Sequence, residues 1–463
     1  MGELRRSPPM VGHRVRASAR GHGGKIESAR RRCRSQFDAP NLSHQKSVPS
    51  RSRFPPPPSQ GLVQSAFLWG YTATQFAGGR LADAVGGRTV LAVGIAFFSV
   101  AQAATAAALG SPALAAAGLT LPAVLAARAA VGLGEGVALP SVTSLITAHV
   151  PPGARASALG ATFAGFHSGN LLGLLASPPL LAAAGWRGLF YVASAAGAPL
   201  LAAWLALVPR RRRKQGGKEG GAGPAAAAAA GAPAPPLASP RTPSDPTTLP
   251  PPTIPNFLRS RAVWAIIAAN VANHWGYFVF LNWLPSFFAG VLGADLRASA
   301  AWSVAPWAAM AAGAAGSGLV GDWAVSGGAA VRDVRRRVQA VAFGVPALAL
   351  AALAWLGGVG GAPASPHLTP PLACALVTAA LGAASLGQFV TNMGDVAPSA
   401  AGSLFGLCNT FGCAAGGAGV AGAGALVQAS GGSFSSVFAV TAGLYLVGAA
   451  VFWGWAEGEA QFA

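Results

Sequence analysis

Gly78-Gly79-Arg80-Leu81-Ala82-Asp83-Ala84-Val85-Gly86-Gly87-Arg88 is a short polar turn set between two apolar runs, one leading up to Gly78-Gly79 and the next starting at Thr89. Two membrane helices joined by a tight, charged, glycine-rich loop have this pattern. The glycines let two helix ends approach closely. Asp83 is placed to accept hydrogen bonds from the first turn of a neighbouring helix, and Arg88 sits in a headgroup zone that favours cations. Composition agrees with a polytopic helical membrane protein. Of 463 residues, 52% are hydrophobic and 10% charged, against about a quarter charged in a soluble domain, so most of the chain cannot face water. The 62 glycines suit close helix packing in lipid.

Working outward from the turn, apolar runs near the length of a membrane span recur. They fall at 62–79, 89–109, 119–148, 156–184, 188–208, 262–289, 299–320, 338–357, 370–393, 399–428 and 435–455, eleven in all. The loops between them alternate in charge. Arg80 and Arg88 follow the first run, Arg155 the third, Arg210 to Lys214 the fifth, and Arg332, Arg335, Arg336 and Arg337 the seventh, while the intervening loops carry only Arg187 and Arg297. The positive-inside rule places the basic loops on the cytosol-equivalent side, which is the stroma for a plastid membrane. The first run then begins on the opposite side, which conflicts with the basic segment ahead of it. A further helix before Gly61, or removal of that segment, resolves the conflict.

Four regions follow. Residues 1–60 carry 13 Lys and Arg against 3 Asp and Glu, many serines, and a closing Pro55-Pro56-Pro57-Pro58 expected to be non-helical;. This is the composition of an organelle transit segment. Residues 61–208 form an N-terminal helix bundle. Residues 209–261 form a flexible linker, Arg-rich and then Gly/Ala/Pro-rich, and 262–460 form a C-terminal bundle. Gly318-Leu319-Val320-Gly321-Asp322, ahead of Arg332 to Arg337, echoes Gly79, Asp83 and Arg88, as two parallel repeats would. The net charge of +19 does not indicate nucleic acid, because it resides in the leading segment and in short loops and forms no basic-aromatic surface. Cys33, Cys374, Cys408 and Cys413 lack metal-ligand spacing;. There is no phosphate-cradling loop, metal set or catalytic triad, so neither an enzyme nor a cofactor is expected.

Ionisable residues inside membrane spans are costly, and each is a functional hypothesis. Arg128 lies seven residues before Glu135, two turns along one helix face. A buried cation and acid on one face could bind an anion and a coupling cation together. Further polar residues inside spans are His167, Asn170, Asn273, His274, Asn282, Asn392 and Asn409, with Asp395 beside them. Asp83, Arg88 and Asp322 are expected to gate a conformational change. Trp69, Trp275, Trp283 and Trp307 are expected as interface or packing aromatics.

The turn between the first two runs resembles the loop signature of the major facilitator superfamily. Several motifs narrow the likeness: Phe67-Leu68-Trp69-Gly70-Tyr71, Arg128-Ala129-Ala130-Val131-Gly132-Leu133-Gly134-Glu135-Gly136, Ser177-Pro178-Pro179, Asn273-His274-Trp275-Gly276-Tyr277 and Asp395-Val396-Ala397-Pro398. Together they resemble the anion:cation symporter family, in its plastid phosphate and ascorbate branch. The resemblance implies an all-α, two-times-six-helix fold whose first helix is missing here, working as a monomer without a nucleic-acid partner. It implies that an anion, inorganic phosphate first, crosses the chloroplast inner envelope or thylakoid by Na⁺- or H⁺-coupled alternating access. By the same likeness Arg128, Glu135, Tyr71, Asn170, Asn273 and Asn392 would bind substrate. Glu135, Asp83, Arg88, Asp322 and Arg335 would couple or gate. Asn273 replaces the arginine of the glutamate-carrying branch, and Met393 replaces a frequent histidine, which leaves the coupling ion open. The rival expectations are an ascorbate-like organic anion as cargo, or a truncated, non-transporting membrane protein.

Overall fold

A computed structural model describes residues 57–208, 252–290, 296–361 and 364–462. The expected transit segment as far as residue 56 and the expected linker from 209 to 251 lie outside the described residues, as does Cys33. Among the described residues the chain is helical, with no strand. Before residue 209 run α1 (Pro57–Val85), α2 (Gly87–Gly110), the short α3 (Pro112–Ala116), α4 (Thr120–Glu135), α5 (Ala138–His149) and α6 (Arg155–Leu207). After residue 251 run α7 (Ile254–Leu258), α8 (Arg261–Gly290), α9 (Leu296–Ser326), α10 (Val331–Leu356), α11 (Pro370–Ala384), α12 (Phe389–Val396), α13 (Ala401–Ala429) and α14 (Ser435–Trp455).

All eleven expected runs overlap these helices, yet among the described residues eight helical stretches are long and apolar enough to cross a membrane. Two physical reasons separate the counts. The runs 156–184 and 188–208 continue as α6, whose regular geometry breaks at Gly185 (φ 65°, ψ 176°). The other two helices, α1 and α8, are diluted by Tyr71, Thr72, Thr74 and Gln75 and by Asn270, Asn273 and His274. Two further expectations need correction. Pro57 and Pro58 open α1, because first-turn residues have no intrahelical N–H bond to lose. The flexible linker does not extend to 261: Thr253 and Asn256 form a capping box on α7, and buried Phe257 meets Phe462 edge-on at 4.9 Å.

The helices pack in long pairs: α6 along α9, α13 along α8, α10 along α14, and α2 along α4 and α6. Lipid is as apolar as a leucine side chain, so helix association depends on close contact and polar bonds between helices. Glycine supplies the contact where α1 crosses α4. A Cβ on Gly70 would collide with the Ala129 carbonyl, and one on Gly132 with the Phe67 carbonyl. Large apolar side chains such as Trp323, Leu207 and Leu348 stand exposed, as lipid contact requires. Trp307 is buried, while Trp275 and Trp283 bond Thr441 Oγ1 (3.2 Å) and the Val420 carbonyl (3.1 Å).

Two helices are interrupted. The run 119–148 breaks after Glu135 into α4 and α5, and the run 370–393 breaks at 385–388 into α11 and α12. Both breaks face the same cavity.

Candidate functional site

A cavity of ≈310 Å³ lies among α1, α4, α5, α6, α8, α9, α11, α12 and α13. Its polar wall comes from one face of α8 (Asn270, Asn273, His274 and Tyr277) and from the two helix breaks, which present Glu135 and Gln388. Phe67, Tyr71, Phe163 and Phe166 add aromatic surface to the lining, with Phe166 6.2 Å from the Tyr277 ring. Breaks in membrane helices are where transporters place substrate and ions; here Gly136 and Val137 keep helical φ and ψ, so the α4–α5 break is shallow.

Glu135, Tyr71, Asn170 and Asn273 line this cavity. The Glu135 carboxylate accepts no hydrogen bond among the described residues. Tyr71 lies within hydrogen-bonding reach of Asn409, and Asn170 Nδ2 donates to Tyr277 Oη at 3.0 Å. Arg128 lies one ring behind the wall. Its guanidinium sits 5.1 Å from the Phe67 ring centroid and donates to Gln102 Oε1 at 3.4 Å, while Glu135 attracts it without a direct ion pair. Asn392, expected to bind substrate, is placed elsewhere. It is fully buried beneath α12 and donates to the Glu457 carbonyl at 2.6 Å. Its short side chain points to the chain end, away from the cavity.

The two aspartates expected to gate join helices before residue 209 to helices after residue 251. Asp83, at the end of α1, accepts from the Gly402 amide (3.1 Å), the Ser403 amide (2.7 Å) and Ser403 Oγ (2.7 Å). Asp322, near the end of α9, accepts from the Ala156 (3.2 Å) and Ser157 (2.7 Å) amides. Each acid thus caps a helix N-terminus, α13 or α6, from the other side of the 209–251 segment. A helix N-terminus offers unpaired amides and partial positive charge, so an aspartate suits it. Arg155 adds bonds to the carbonyls of Thr147 (2.8 Å), Val150 (3.1 Å) and Gly394 (3.4 Å).

The two arginines expected at the gate differ. Arg335 is fully buried, pairs Asp395 at 2.8 Å and donates to Gln388 Oε1 at 2.6 Å. Arg88 reaches no gate partner. It donates to the carbonyls of Leu205 (2.7 Å) and Val208 (2.5 Å), closing the C-terminus of α6, where unpaired carbonyls attract a cation. Gln388, Ser317, Asn270 and Tyr277 also line the cavity, though no span-by-span reading singled them out. The 270, 273, 274, 277 spacing was the available signal for α8, because it marks one helical face.

With the geometry in place, comparison with known proteins decides the family. The major facilitator superfamily profile matches residues 55–420. The chain belongs to the major facilitator superfamily. Within it, the similar curated proteins are plastid anion transporters. Probable anion transporter 3, chloroplastic, of Arabidopsis thaliana is 37% identical over 85% of this chain and 71% of its own length. The sodium-dependent phosphate transport protein 1, chloroplastic, of the same plant is 33% identical, over 87% and 72%. Its chloroplastic ascorbate transporter is 32% identical, over 86% and 68%. Among solved structures, the proton:xylose symporter XylE superposes with a TM-score of 0.64 at 14% identity, covering 87% of each chain. The E. coli fucose:proton symporter does so at 0.58 and 14% identity, covering 86% of this chain and 91% of that one. This facilitator chain is therefore an integral plastid membrane protein of the anion-transporter branch, and the family transports rather than catalyses.

Proposed function

We propose that this facilitator carries a small anion, inorganic phosphate first, across a plastid membrane by alternating access driven by Na⁺ or H⁺. The meeting of two interrupted helices at one cavity, closed on the basic-loop side by Asp83 and Asp322, carries this reading. Glu135 holds the coupling cation. Arg128 acts through the Phe67 ring, because a point charge is strongly felt across a low-dielectric wall. Release of the two aspartate caps lets the helices before 209 rock against those after 251, opening the cavity to the basic-loop side. Arg128→Ala in proteoliposomes should reduce phosphate uptake to background while the protein still inserts. Normal uptake by that variant would remove Arg128 from the mechanism.

An ascorbate-like organic anion is a second reading. It is favoured by the amide and aromatic lining, which suits a hydroxyl-rich ring better than a bare phosphate. Competition between labelled phosphate and ascorbate separates the two: the true cargo displaces the other and is not displaced by it.

A further inference from the structure

His167 stands apart from the other polar residues of the cavity. It is 6% exposed, lines the cavity from α6, and its Nδ1 is buried without a hydrogen-bond partner. The second cavity histidine, His274, is tied down: its Nδ1 lies 3.0 Å from the Asn270 carbonyl, which fixes that nitrogen as a donor. The His167 ring is ringed by aromatics instead, with centroid separations of 5.3 Å to Phe166, 6.3 Å to Tyr277 and 6.4 Å to Trp307. Aromatic π electrons favour a cation close to the ~6 Å reach of such contacts. Burial disfavours a lone imidazolium here and nothing in the pocket accepts a hydrogen bond from one;, so the ring holds a proton only when an anion binds beside it.

The charge around the cavity gives that feature a purpose. Among the described lining residues the fixed charge is Glu135, an acid, and Arg128 is turned towards Gln102 behind Phe67. An anion entering such a cavity needs a positive partner on the wall. The titratable groups facing His167 across the cavity are Tyr277 and His274 from α8, Glu135 from α4, Tyr71 from α1 and Cys413 from α13. The flanking α9 presents Met310 and Ala314 to the cavity and Trp307 to the His167 ring, the α11–α12 break presents Ser385 and Gln388, and α12 presents Thr391. Of these, the imidazole of His167 is the group that has an unused ring nitrogen and can take up a proton to become a cation;.

We propose that His167 is the proton-dependent anion-binding residue of this cavity, resting on the transport reading above. It takes a proton from water on the open side. The imidazolium N–H then donates to an oxygen of the anion, and the proton leaves to water on the far side with the anion. The cargo class is an oxyanion, which can accept that bond.

Binding tests this without requiring flux. Purified wild type, His167→Gln and His167→Tyr would be titrated with ascorbate, a monoanion across about pH 5.5–8, and with inorganic phosphate. Thermal-shift affinity and indicator-detected proton uptake would be read together. The sign is fixed: only the protonated ring binds, so affinity should fall about tenfold per pH unit above the imidazole titration. Wild type should take up about one proton per bound anion under the same linkage. Either variant that folds should bind weakly, with a flat pH profile and no proton uptake. Anion binding by wild type without a proton, or a folded variant keeping the wild-type profile, overturns the role of His167 alone. No anion binding by wild type at any pH overturns both this role and the transport reading.

Discussion

The two interrupted helices are finished in opposite ways. At the α4–α5 break, backbone bonds close the turn, with the Gly136 amide on the Gly132 carbonyl at 2.8 Å and the Ser141 amide on the Val137 carbonyl at 3.1 Å. The Glu135 side chain is left bare. At the α11–α12 break, Gln388 is fully engaged. Its amide donates to Gln339 Oε1 (2.9 Å), its Nε2 to Ser317 O and Oγ (both 2.8 Å), and its Oε1 accepts from Arg335. Arg335 in turn holds Asp395. One break thus presents a group whose charge and occupancy can change. The other ties the cavity wall to the buried Arg335–Asp395 pair through a polar network in which only Gln339 Nε2 is left without a partner among the described residues;.

The sharpest way to break this contrast is Arg335→Ala. It strands the Asp395 carboxylate and the Gln388 carbonyl in a buried site, and leaving a buried ion unpaired costs about 3–5 kcal/mol. A large drop in melting temperature in detergent is expected, partly recovered in the Arg335→Ala, Asp395→Ala double variant. Equal stability of single and double variants would show that the pair is not what fixes this break. Glu135→Gln should act oppositely: melting temperature close to wild type, but ion-driven anion uptake lost. A melting drop as large as that of Arg335→Ala would mean both breaks are structural.

Between these extremes lie the two caps. Asp83→Ala loses three bonds and Asp322→Ala two, each near the 1–2 kcal/mol of a helix cap in a favourable partly buried site. Each should bias the protein towards the form open on the basic-loop side, Asp83→Ala more so. Thiol labelling of single cysteines placed in the cavity floor reads this out, and equal labelling of wild type and both variants would deny them a gating role. The smallest effect is expected for Arg88→Ala, about 0.5 kcal/mol of helix-end stabilisation with no change in labelling. A labelling change there would return Arg88 to the gate.

The sequence made the membrane helices, the turn at Asp83 and its echo at Asp322 legible, because apolar length and a charged turn are local signals. The cavity residues Glu135, Asn170 and Asn273 were legible because polar residues inside apolar spans are conspicuous, and Tyr71 through the resemblance alone. What stayed hidden depends on three-dimensional neighbours. Nothing near Arg88 in the chain reports that its guanidinium reaches Leu205 and Val208, and nothing near Asn392 reports Glu457. Gln388 was hidden because it sits where a span breaks, and an apolar run gives no sign of a break inside it. The described residues give eight clearly apolar stretches for a related reason: α1 and α8 line the cavity, so their composition is the least membrane-like.

Half of each cap is main chain. The amides of Gly402, Ser403, Ala156 and Ser157 survive any substitution except proline, so mutation can damage these locks chiefly through the two aspartates. Gly402 is the exception, since a Cβ there would lie 2.8 Å from Asp83 Oδ1. Apart from close-packed positions such as Gly160 and Gly406, whose Cβ would meet the Ala314 and Gln75 carbonyls, side chains along the rest of α6 and α13 can change for a different cargo without touching the caps. A transporter built this way can change what it carries while keeping how it closes.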